Sequence, residues 1–162
     1  MKVEDVMTET VICCGPDSNL AEAVALMWKS DCGALPIVGD GGKVIGIVTD
    51  RDIAVAAGTS NRRPSEIIVS EVMSKSVYDC SPEDDIHTAL KTMRKDRVRR
   101  LPVIDRDGAL RGIVSMNDIV LHAEKFEGRK TIDLSYDDAV NTLKAICEHQ
   151  HPKAAEQRAV AV

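Results

Sequence analysis

Ala34-Leu35-Pro36-Ile37-Val38, followed after a turn by Gly46-Ile47-Val48-Thr49-Asp50-Arg51-Asp52-Ile53, returns 66 residues later as Arg100-Leu101-Pro102-Val103-Ile104 and Gly112-Ile113-Val114-Ser115-Met116-Asn117-Asp118-Ile119. Outward from these stretches the correspondence runs without a gap, from Val3–Ala54 onto Val69–Val120. Val6-Met7 recurs as Val72-Met73, and Cys14-Gly15-Pro16 as Cys80-Ser81-Pro82. A gapless match of this length means duplication. Two copies are too few for a solenoid, so a closed pseudo-symmetric pair is expected.

Each copy carries the same succession of periods. Leu20, Ala23, Val24 and Met27, after the capping candidates Asp17-Ser18, form one apolar helical stripe, and Ile86, Ala89, Leu90 and Met93 repeat it after Asp84-Asp85. Both stripes are expected to be buried. Leu35–Val38, the turn Asp40-Gly41-Gly42 and Val44–Val48 read as a hairpin, whose turn recurs at Asp107-Gly108. A second helix starts at Thr49 or Ser115, and an opening strand is expected near Val11-Ile12 or Val77-Tyr78. The fold class is therefore α/β (α+β), two β-α-β-β-α units related by a pseudo-two-fold axis, plus a C-terminal helix. The units span 1–58 and 69–124, with a linker at 59–68 that holds Gly58-adjacent Thr59, Ser60, Asn61 and Pro64. Residues 125–162 form a helix and tail, the helix opened by a capping box at Ser135–Asp138 and carrying Val140, Leu143 and Ile146.

Composition narrows the function classes. Hydrophobic residues make up 44% of the 162, enough for a substantial core, yet aromatics are only 2%, which leaves almost no stacking platform for single-stranded nucleic acid. A net charge of −5 argues against general DNA or RNA binding. No apolar run is long enough for a membrane span, and Met1–Asp5 is acidic without an apolar signal core, so a cytoplasmic protein is expected. The five cysteines (13, 14, 32, 80 and 147) have neither zinc-knuckle nor disulfide spacing and read as small buried hydrophobes, with a redox-sensitive rim at Cys13, Cys14 and Cys80 as the alternative. Cys147, His149 and His151 lack a fourth ligand, and no metal site is expected. No nucleophile–base pair emerges either, so the chain does not read as an enzyme.

The ordered motifs, occurring twice at one spacing, resemble the paired cystathionine-β-synthase-type (CBS) domain family in its stand-alone bacterial form, over residues 1 to about 123. The resemblance implies a regulatory, signalling or stress-response module that binds AMP, ADP, ATP or a related adenosyl ligand in two clefts and alters a partner interaction. It implies no resident cofactor; Mg²⁺ would accompany ATP. It also implies a homodimer formed through helical faces, and a regulated protein that the sequence does not identify. One adenine slot would be formed by Cys14, Gly15, Cys32, Gly33 and Ala34, completed by Ser115, Asn117 and Asp118. The other would be formed by Cys80, Ser81, Val98, Arg99 and Arg100, completed by Thr49, Arg51 and Asp52.

Physical chemistry suits the residues to that use. At Thr49 and Ser115 a strand becomes a helix, where free backbone N–H groups favour phosphate. Asp52 and Asp118, one turn in, could accept both hydroxyls of a ribose diol. Thr49-x-x-Asp52 and Ser115-x-x-Asp118 are equally plain capping boxes. Arg94, Lys95, Arg97, Arg99 and Arg100 form either a solvated helix end or a phosphate cluster, since arginine matches phosphate geometry. The first copy has Gly33-Ala34 at the place of Arg99-Arg100, so the clefts cannot be electrostatically equivalent. Two other classes remain open: a constitutive scaffold with vestigial clefts, and a nucleic-acid binder using the Arg94–Arg100 cluster.

Overall fold

The computed structural model describes residues 1–128 and 131–148. Among them the duplication is literal. Helix α1 (Leu20–Lys29), strands β1 (Ala34–Val38) and β2 (Val44–Thr49) and helix α2 (Asp50–Thr59) are repeated by α3 (Ile86–Asp96), β3 (Arg100–Ile104), β4 (Leu110–Ser115) and α4 (Met116–His122). Helix α5 (Tyr136–Cys147) follows and packs on α3 and α4.

Each hairpin is antiparallel, with Ala34 opposite Thr49 in one and Arg100 opposite Ser115 in the other, and each slips register at the same place, after Ile37 and after Val103. The turns differ in how they close. Gly41 and Gly42 take φ of 70° and 76°, whereas a single Gly108 at 84° closes the other, pinned by an Asp105 carboxylate that accepts from the N–H groups of Asp107 and Ala109. A lone two-stranded hairpin is marginal in water. Here both edges are covered, β1 by a parallel bridge from Cys14 and β2 by an antiparallel bridge from Ser74. Cys80 and Thr8 do the same for β3 and β4. The expected opening strands at Val11-Ile12 and Val77-Tyr78 are thus reduced to single bridges at Cys14 and Cys80.

The leading segments are exchanged between the units. Val3 and Val6 are buried in the core of the second unit with Ile86, Leu90, Met93 and Leu101, while Ile67 and Val69 are buried in the first with Leu20, Ile37 and Val48. Backbone bonds fix the crossing: Val3 N–H donates to the Asp84 carbonyl, and Val69 N–H to that of Ser18. Met7 lies on Gly112, and Met73 on Gly46, where a side chain on either glycine would collide. Pro64–Glu66 and Val69–Glu71 are two short 3₁₀ turns, so the end of the linker expected at 59–68 is docked on the first unit.

Other expectations need correction. The α1 cap is Asn19, boxed with Glu22, one residue beyond Asp17-Ser18. Leu20, Ala23 and Met27 are buried, but Val24 is 45% exposed, whereas its counterpart Leu90 is fully buried. The difference is α5, which lies across α3; among the described residues α1 has no such cover, so Trp28 also stands 89% exposed there. On α5 the Ser135–Asp138 box is present, but Ala139 and Thr142 face the core and Val140 is exposed.

Candidate functional site

Two clefts open between the units, at the junctions the repeat marks. The larger, about 670 Å³, is walled by the β2–α2 junction (Thr49, Arg51, Asp52) and the α3–β3 junction (Arg97, Val98, Arg99, Arg100), with Ser74, Ser76 and Tyr78 from the exchanged segment. Ile146 and Glu148, at the end of α5, complete it. The smaller, about 440 Å³, lies between the β4–α4 junction (Ser115, Asn117, Asp118) and the α1–β1 junction (Asp31, Cys32, Ala34), with Thr8, Thr10 and Ile12 opposite. Both volumes suit a small organic ligand.

Val98 shares a cleft with Thr49 and Asp52, and Cys32 shares one with Ser115 and Asp118, whereas Arg99 and Arg100, which the resemblance assigns to the first of these, line both. Gly33, grouped with Cys32, instead lines the larger cleft beside Asp50, whose carboxylate fills the space a Gly33 side chain would need. Cys14, Gly15, Cys80 and Ser81 line neither cleft. Cys14 and Cys80 are buried strand-edge residues of the two cores, and burial pushes their thiols up to about 11 and about 12. Thiols held protonated in this way are poor nucleophiles, which disfavours a redox role for these two, while Cys13, the third member of the expected rim, is exposed. Their predicted places are taken by residues a few positions earlier that sequence reading missed. The signal was present: Thr8 and Ser74, Thr10 and Ser76 are hydroxyl pairs at the repeat offset.

The two aspartates do cap their helices. Asp52 Oδ2 accepts from Thr49 N–H at 2.9 Å and from Thr49 Oγ1 at 2.6 Å, and Asp118 Oδ2 repeats this with Ser115 at 2.7 and 2.6 Å. The second oxygens differ. Asp118 Oδ1 accepts from Thr8 Oγ1 at 3.3 Å, while Asp52 Oδ1 has no hydrogen-bond partner among the described residues. Capping and ligand contact are therefore compatible at Asp52, because a carboxylate has acceptor positions to spare.

The start of α2 does not offer the free N–H groups expected of it. Asp50 N–H donates to the Gly33 carbonyl at 3.1 Å, Arg51 N–H to Asp50 Oδ1 at 2.7 Å and Asp52 N–H to Thr49 Oγ1 at 3.3 Å. Positive charge in the cleft comes from side chains instead. Among the described residues, none of Arg51, Arg97, Arg99 and Arg100 has a carboxylate within ion-pair distance. Arg94 turns away to Thr142 of α5, at 3.5 Å, so the basic run is not one continuous face. Cys147 stands exposed, and His149 and His151 lie outside the described residues; among these no three metal-ligating side chains gather. No helix among the described residues is long and apolar enough to cross a membrane.

Comparison with known proteins places this geometry. The family model described as "CBS domain" matches residues 3–58 and again 69–125. The CBS domain-containing protein YhcV of Bacillus subtilis is 36% identical over 120 residues, covering 74% of this chain and 84% of that protein. Hypoxic response protein 1 of Mycobacterium tuberculosis is 36% identical over 118 residues, 73% of this chain and 82% of its own length. Among solved structures, the CBS domain pair of protein MJ0100, in complex with 5′-methylthioadenosine and S-adenosyl-L-methionine, superposes with a TM-score of 0.68 at 26% identity, over 75% of this chain and 94% of that one.

Proposed function

The chain belongs to the CBS domain family, and on that premise we propose that it is a regulatory module that binds a phosphorylated adenosine ligand in the larger cleft. The observation that carries the reading is an unengaged carboxylate oxygen, Asp52 Oδ1, in a cleft that also holds four guanidiniums without ion-pair partners. A carboxylate acceptor fits the ribose diol, and arginine fits phosphate. The adenosyl ligands of the MJ0100 pair support the class of ligand. Tyr78 offers an aromatic wall and Ile47 an apolar one for the base. With ATP, Mg²⁺ would accompany the nucleotide and offset phosphate charge; no resident cofactor is required.

Two copies of the chain are proposed to associate through the outer faces of α2 and α4, where Val55, Val120 and Leu121 are exposed. Regulation then consists of ligand-dependent change in this assembly or in its fit to a further protein.

Thermal unfolding with AMP, ADP and ATP tests the reading. At a hundredfold excess over Kd the folded state should gain about 2.7 kcal/mol, visible as a rise in Tm. No rise with any of the three at millimolar concentration would overturn it in favour of a constitutive scaffold with vestigial clefts.

A further inference from the structure

We propose that the smaller cleft takes a different ligand from the larger one, an adenosine derivative whose 5′ substituent is neutral or cationic, and that the two clefts are positively coupled through Arg99 and Arg100. The proposal rests on the adenosine reading above and adds a second ligand class and a linkage to it.

The repeat offset allows the two linings to be compared position by position. Where the larger cleft has Arg51 the smaller has Asn117, and where it has Arg97 the smaller has Asp31. Both of the latter sit in left-handed backbone just after a helix, Arg97 at φ 55° and Asp31 at φ 48°. The swap is therefore one of charge and not of chain path.

Arg99 and Arg100 line both clefts, and their counterparts Gly33 and Ala34 carry no charge. A perfect two-fold would add a second such pair beside both clefts; here a single pair stands between them. The larger cleft, with Asp50, Asp52 and Glu148 as its carboxylates, keeps cations of its own. Among the described residues the smaller has none: its guanidiniums there are the shared pair, set against Asp31 and Asp118.

A phosphate in the larger cleft draws the shared guanidiniums towards itself. The smaller cleft is then left with Asp31 and Asp118, an environment that repels a second phosphate and attracts a cation. Linkage makes the effect reciprocal, so each ligand raises the affinity for the other by the same factor.

Three adenosine compounds whose 5′ group is anionic, neutral or cationic make the test: AMP, adenosine and 5′-amino-5′-deoxyadenosine, titrated calorimetrically into the full chain. A single AMP per chain is expected, and a single aminonucleoside that adds to bound AMP and binds about fivefold or more tightly in its presence. Asp31→Arg, a side chain that Arg97 shows this backbone accepts, should admit a second AMP and abolish aminonucleoside binding. Arg99→Ala with Arg100→Ala should bring the coupling factor to unity. The proposal falls if wild-type chain takes two AMP molecules with equal affinity, if the aminonucleoside displaces AMP, or if Asp31→Arg changes neither stoichiometry. In those cases AMP still binds and the adenosine reading stands. If none of the three binds at millimolar concentration, both readings fall together.

Discussion

Under the proposed reading the two oxygens of Asp52 have separate duties. Oδ2 closes the capping box with Thr49, and Oδ1, which has no hydrogen-bond partner among the described residues, is left for the ligand. Asp52→Ala should cost one or two charge-assisted hydrogen bonds to the ribose, each about 1.5–3 kcal/mol, so that AMP affinity falls roughly tenfold to a hundredfold or more. Loss of the cap should lower stability by only about 1 kcal/mol. The 2′-deoxy nucleotide should bind wild type more weakly than AMP and lose that disadvantage in the variant. Calorimetry and melting on both proteins separate the duties: a stability loss without an affinity loss would leave Asp52 a cap alone. This residue was legible in the sequence because strand, hydroxyl and acid recur at fixed spacing. Tyr78, Ser74 and Ser76 were not, since an extended segment of three or four residues has no periodicity to betray which side faces a ligand. Cys14 and Cys80 misled because a repeated cysteine marks a buried strand edge as readily as a slot.

At the scale of elements, the hairpins lean on glycines that nothing larger can replace. A Cβ on Gly112 would lie 2.6 Å from Met7 Sδ and 3.0 Å from the Thr8 carbonyl oxygen, and Gly46 meets Met73 and Ser74 in the same way. The thioether could move; the backbone oxygen, held in a bridge, could not. Gly112→Ala should therefore destabilise the protein by about 1–3 kcal/mol in urea unfolding, and Met7→Ala should not rescue it. Gly58→Ala, with nothing within 4 Å of the added methyl, should be neutral or stabilising. The elements themselves were readable from alternation, helical spacing and turn glycines, and the duplication doubled the evidence for each. The exchange of Val3–Asp5 and Val69–Glu71 was not readable. A repeat looks the same along the chain whether its first turn folds back on its own unit or crosses to the other. Val24 escaped for a related reason: its helical face is apolar in both copies, but only the second copy has α5 to cover it.

For the molecule as a whole, the proposed association makes a prediction about mass. Light scattering at micromolar concentration should give twice the chain mass, and Val120→Glu with Leu121→Glu should halve it without lowering the Tm of the separated chain. A wild-type monomer, with and without nucleotide, would remove the dimer. The crossing of the leading segments has a further consequence. Two separate single units trading first turns would form an ordinary symmetric homodimer, and symmetry would oblige it to carry the same side chain in both clefts. Any substitution favouring one ligand would be imposed on both sites at once. Joined end to end in one polypeptide, the halves keep the crossed architecture but escape that obligation. Arg97 on one side and Asp31 on the other is a difference that a homodimer of single units cannot hold.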